Sequence, residues 1–172
     1  MQPLVLSIIP PLPGWVTEHA MKLLHMNLVF AWAWVFLGFL SGMVLGLFFH
    51  RENWLGGYGS LQRRMYRLGH ISFFGLGAVN LLFWLTMSRL AVSGPYVSAA
   101  AWAFIIGGIT MPLCCVVMAH HPKQHLIFTV PVVSLLLAGA LTLVAVIRQP
   151  TQPEPGGSHL PLNPHLSTLN QP

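Results

Sequence analysis

Five of the nine histidines in this sequence, His50, His70, His120, His121 and His125, fall at the ends of long apolar stretches, where an alternating chain path would gather them on one side. Haem b held between two helices needs two imidazoles at similar depth on facing helices, with small residues where the macrocycle lies flat. His70, followed by Gly75 and Gly77, is the best-placed first ligand, and His125 or His50 would be its partner. The competing reading is that these are interfacial histidines meeting headgroups and water. Helix-end positions favour it, since ligands of membrane haems generally sit deeper.

A second constellation is Cys114, Met118 and His121, spaced i, i+4, i+7 and so on one face of a helix. Thiolate, thioether and imidazole together suit copper(I). Methionine and cysteine are also ordinary fillers of helical cores, and no CxxC or repeated Met motif reinforces the metal reading. The two cysteines, Cys114 and Cys115, are adjacent within an apolar run and form no disulfide framework.

The elements that must carry these residues follow from composition. Hydrophobic residues make up 55% and charged residues only 6% of the 172, against about 25% charged in soluble domains. Such a surface is stable in lipid and not in water. Four stretches reach the roughly 20 residues that a helix needs to cross a hydrocarbon core: Leu28 to Phe49, Leu68 to Ser88, Val97 to Ala119, and Leu126 to Ile147. None contains Asp, Glu, Lys or Arg. Short connections at Gly94 and Pro95, and at His121 to Lys123, force antiparallel neighbours. The expected fold class is therefore all-α integral membrane, a four-helix up-down-up-down bundle over 28–147. It is flanked by a Pro-rich N-terminal segment with a juxtamembrane helix (1–27) and a Pro-rich extramembrane tail (148–172).

Pro3, Pro10, Pro11 and Pro13 break the apolar N-terminal segment, so it does not read as the helical core of a signal peptide. A helix is expected from Thr17 as N-cap. Met21 offers an alternative start to Met1. The tail holds six prolines and one acid and reads as irregular, ordering against a partner. Pro112 and Pro131 are expected to kink the third and fourth spans, with Thr110 and Thr129 satisfying the freed carbonyls.

Gly38, Gly42 and Gly46 recur every fourth residue of the first span, a double GxxxG that lets helix backbones approach closely. Ala99, Ala103 and Gly107, and Ser134, Ala138 and Thr142, make lesser stripes. The glycine face and the 148–172 tail are the expected contacts with other membrane subunits.

The net charge of +5 comes from eight basic and three acidic residues scattered between apolar spans, which is a topology signal and not a nucleic-acid surface. Arg51, Arg63, Arg64, Arg67 and Lys123 on one side, against Lys22, Arg89 and Arg148 on the other, place both termini on the non-cytoplasmic side of an inner membrane. No carboxylate lies within a span, which argues against ion-coupled transport. No HExxH, phosphate loop or GxSxG is present, which argues against catalysis by this chain alone. The leading expectation is a small non-catalytic membrane subunit or assembly protein of a larger, respiratory or electron-transfer complex. A b-type haem carrier and a copper-handling protein are the alternatives.

Overall fold

The computed structural model describes residues 14–90 and 94–148, and its regular structure is entirely helical, with no strand among the described residues. Four long helices follow in order: α1 (Gly14–Phe49), α2 (Leu61–Leu90), α3 (Pro95–His120) and α4 (Thr129–Ile147). Two single 3-10 turns interrupt the connections, at Trp54–Gly56 and His125–Phe128. All four helices are long and apolar enough to cross a membrane. Large side chains on their outer faces remain uncovered, Phe39 at 67% and Leu136 at 69% exposure among them. In lipid these faces meet a matching solvent.

Two boundaries differ from the sequence expectation. The juxtamembrane helix and the first span are one 36-residue element, so Thr17 is a helical residue and not a cap. At 1.5 Å per residue this helix is about 54 Å long, well beyond a hydrocarbon core of about 30 Å. Helix α2 begins seven residues earlier than Leu68, at Leu61, because Ser60 caps it: its Oγ accepts the Arg63 backbone N–H at 3.2 Å. The Pro-rich segment before Gly14 and the tail after Arg148 lie outside the described residues.

The substantial interfaces join α1 to α2, α2 to α3 and α3 to α4, and α1 also touches α3 lightly. Along each consecutive pair the contacts run in opposite chain directions. Gly38 faces Phe74 and Gly42 faces His70; Gly69 faces Cys115 and Phe83 packs on Phe104; Gly107 faces Leu135 and Cys114 meets Ile127. Helix α3 is central and the substantial helix interface of α4 is with it, so the helices form a row bent at α1 and not a closed ring. The best-packed core, Leu23, Leu24, Phe83, Met87, Ala101 and Phe104, sits at the end nearer the termini.

Small residues set these distances. A Cβ at Gly38 would fall 2.8 Å from Phe74 Cζ and one at Gly42 2.7 Å from His70 Cε1, while Gly46 has no neighbour within 4 Å. The glycine stripe is thus an internal α1–α2 seam over two of its three residues. At Gly38 and Gly42 the face meets α2, and Gly46 stands open. The lesser stripes also face one another: Ser134 Oγ donates to the Ala103 carbonyl at 2.7 Å, and Ala138 is fully buried.

The prolines show why the chain packs in this register. Each removes the N–H that would bond the carbonyl four residues earlier. For Pro112 that carbonyl is Gly108, and Trp34 Nε1 from α1 donates to it at 3.1 Å. For Pro131 it is Ile127, which precedes α4 and accepts from the Thr129 backbone N–H and from Cys114 Sγ of α3, the latter at 3.3 Å. The Gly108 acceptor is therefore satisfied from a neighbouring helix and not by the threonine two residues upstream, while Ile127 is served by both its own connection and α3. Thr110 bonds the Ile106 carbonyl of its own helix at 2.8 Å. Pro131 also lies in the first turn of α4, where the helix tolerates it, so no kink falls within that span.

Candidate functional site

Below the Trp34–Gly108 contact, toward the loop between α1 and α2, helices α1 and α3 part and leave a cavity of about 530 Å³. Helix α2 forms its back wall through Tyr66, Gly69, His70 and Phe73. Trp34, Ser41 and Val44 line the α1 side, and Ile109, Pro112 and Leu113 the α3 side. The size is that of a site for a small lipid-soluble molecule. Val44, Leu113 and Val116 on its rim are exposed on the outer surface, so the cavity opens sideways between the helices.

The polar groups in this apolar space are few and specific. His70 Nδ1 lies 3.0 Å from Ser41 Oγ, which also lies 3.0 Å from the Gly38 carbonyl. Hydroxyl and imidazole can each donate or accept. The contact holds the ring through Nδ1, and Nε2 has no hydrogen-bond partner among the described residues. Gly42 and Phe74 hold the ring in place, the latter edge to face at 5.4 Å between centroids. One turn away, Tyr66 Oη lies 3.0 Å from Nε2 of His120, which is exposed at the end of α3.

The other expected haem ligands are not at this cavity. Gly42 is level with His70, and His50 follows it by eight residues, about 12 Å farther along the α1 axis. His125 precedes α4 on the opposite side of α3, where Ile127 meets Cys114. Both are exposed. Among the described residues that line the cavity, His70 is the one imidazole.

The sulfur-rich row on α3 is likewise divided. Cys114 is buried with its thiol directed at the Ile127 carbonyl, Met118 is half-buried, and His121 is exposed beyond the helix end. No cluster of three His, Cys, Asp or Glu side chains able to hold a metal occurs among the described residues.

A third polar feature closes the same end of the molecule. Arg63 is 1% exposed, donates through Nη2 to the Phe49 carbonyl at 2.5 Å, and lies 3.7 Å over the Tyr58 ring, with Phe49 and Trp54 at 4.7 and 5.7 Å. A cation at the C-terminus of α1 complements the helix dipole, and the three rings replace part of its hydration. The loop that folds over it needs left-handed backbone at Leu55, Gly56 and Gly57, with φ of 53°, 78° and 91°.

Sequence reasoning singled out His70 but missed Ser41, Tyr66 and Trp34. Ser41 is hidden within the glycine stripe. Tyr66 is signalled in the sequence only by its i, i+4 spacing to His70. Asn27, placed outside the first span by sequence, is fully buried with Asn80; each amide donates to the carbonyl four residues earlier. No protein-family model, curated protein or solved structure matches the chain.

Proposed function

We propose that this protein is a four-span, up-down-up-down membrane subunit that works by holding a lipid-soluble ligand between α1, α2 and α3. It serves a larger complex of the inner membrane, with its termini on the non-cytoplasmic side. The observation that carries the reading is His70, oriented by Ser41, on the wall of an apolar cavity of about 530 Å³ open to the side. A polar group held within a membrane span is costly unless it does something there. The basic loop face, with Arg51, Arg64, Arg67 and Lys123, supports the orientation.

Haem b is retained as a second reading because a metal-bound histidine characteristically has its other ring nitrogen hydrogen-bonded, and His70 Nδ1 lies 3.0 Å from Ser41 Oγ. It would be held by that one residue of this chain.

The test is extraction of the protein purified in mild detergent, with absorbance and mass spectrometry of the extract. One lipophile class at about one per chain, lost on Leu113→Trp at the cavity mouth, is the expected result. Bulk lipid alone, unchanged by the variant, would refute the cavity as a binding site. Purification solely as a lone monomer would refute the subunit role.

A further inference from the structure

We infer that the ligand of the α1–α3 cavity is of the quinone class, a lipid-soluble ring bearing oxygens that alternate between carbonyl and hydroxyl. The inference rests on the cavity reading above and names the chemistry of its occupant.

The lining excludes most other lipophiles. No Lys, Arg, Asp or Glu lines the cavity, so neither a carboxylate nor a phosphate head finds a counter-charge there. A pure hydrocarbon would leave His70 Nε2 without a partner. Haem would need its acidic side chains neutralised, and the cavity wall supplies no cation.

The two groups present fit a ring with oxygens. Tyr66 and His70 stand at i and i+4 on one face of α2, with their Cβ atoms about 5–6 Å apart. Both can donate or accept. Ser41 holds His70 through Nδ1, which leaves Nε2 to meet a ring oxygen, either a hydroquinone hydroxyl or a quinone carbonyl. Tyr66 Oη, bonded to exposed His120, gives the second oxygen a hydrogen-bonded connection to the aqueous face.

The experiment is equilibrium binding to the full chain in lipid nanodiscs. The probes are a decyl-tailed benzoquinone, its hydroquinone, the matching alkylbenzene and haemin. The quinone and the hydroquinone should each bind about tenfold tighter than the alkylbenzene, the worth of one hydrogen bond to a desolvated imidazole. His70→Phe, which keeps a ring beside Gly42, should abolish that ratio and leave the alkylbenzene unchanged. Ser41→Ala frees the ring from its hydrogen bond and should shrink the ratio without removing binding, which keeps the test open if His70→Phe fails to fold. Equal binding of hydroquinone and alkylbenzene, or haemin binding with a Soret band lost in His70→Phe, would overturn the quinone class and leave the cavity reading standing. Binding of none of the four probes would overturn both.

Discussion

The bond between Trp34 and the Gly108 carbonyl should be energetically coupled to Pro112, and a double-mutant cycle measures that coupling directly. Pro112 cannot supply the N–H that Gly108 would otherwise accept, and Trp34 Nε1 does so at 3.1 Å. Trp34→Phe removes the donor and part of the ring. The ring loss costs packing in any background, whereas the donor loss matters only while residue 112 is proline. In Pro112→Ala the restored backbone N–H bonds the Gly108 carbonyl within α3, so the same Trp34→Phe change should then cost packing alone. Hydrogen bonds in folded proteins are worth about 0.5–1.5 kcal/mol net, and interhelical ones in bilayers average about 0.6. A bond of normal length to an otherwise unpaired carbonyl belongs near the upper part of that range. The coupling should be about 1 kcal/mol, roughly fivefold in the folding equilibrium constant. The assay is reversible unfolding of the four cycle members in mixed detergent micelles, followed by circular dichroism. Coupling below about 0.5 kcal/mol, the range within which unrelated sites already add, would refute the rescue of Gly108 by Trp34.

Three further outcomes are expected. Gly42→Ala should destabilise by about 1–3 kcal/mol, because the new methyl must displace His70 from 2.7 Å; Gly46→Ala, with open space, should be neutral or stabilising by up to about 1 kcal/mol in the same unfolding assay. Arg63→Met should lower stability by about 1–3 kcal/mol through loss of the bond to the Phe49 carbonyl and of the ring contacts, while Arg64→Met on the exposed face changes it little. Cys114→Ser, which keeps a donor for Ile127, should retain more stability than Cys114→Ala, and neither should change the copper content measured in the purified protein; copper lost with Cys114→Ser would restore the metal reading.

Part of the site was legible in the chain. His70 stood out because an imidazole just inside an apolar stretch is costly and therefore informative. The glycine stripe announced a close helix contact, and GxxxG spacing predicts proximity in lipid well. Its partner was not legible, since the pattern shows that something approaches and not what. Here it is Phe74 and His70 of the same chain. His50 and His125 stand away from His70 for different geometric reasons. His50 lies about 12 Å farther along the α1 axis, and α3 stands between His70 and His125.

By itself, the sequence determined the solvent and the number of long apolar helices, because the backbone in hydrocarbon must satisfy its own hydrogen bonds and charge is costly there. It also determined that a carbonyl would be orphaned at Gly108, since proline removes a fixed donor. Only the tertiary structure decided what satisfies it: Trp34, far away in the chain and adjacent in space. The cavity is likewise a tertiary fact. It exists because α1 and α3 meet at Gly108 and part below it, and helix rotation, which no single span encodes, brings Ser41, Tyr66 and His70 to its walls.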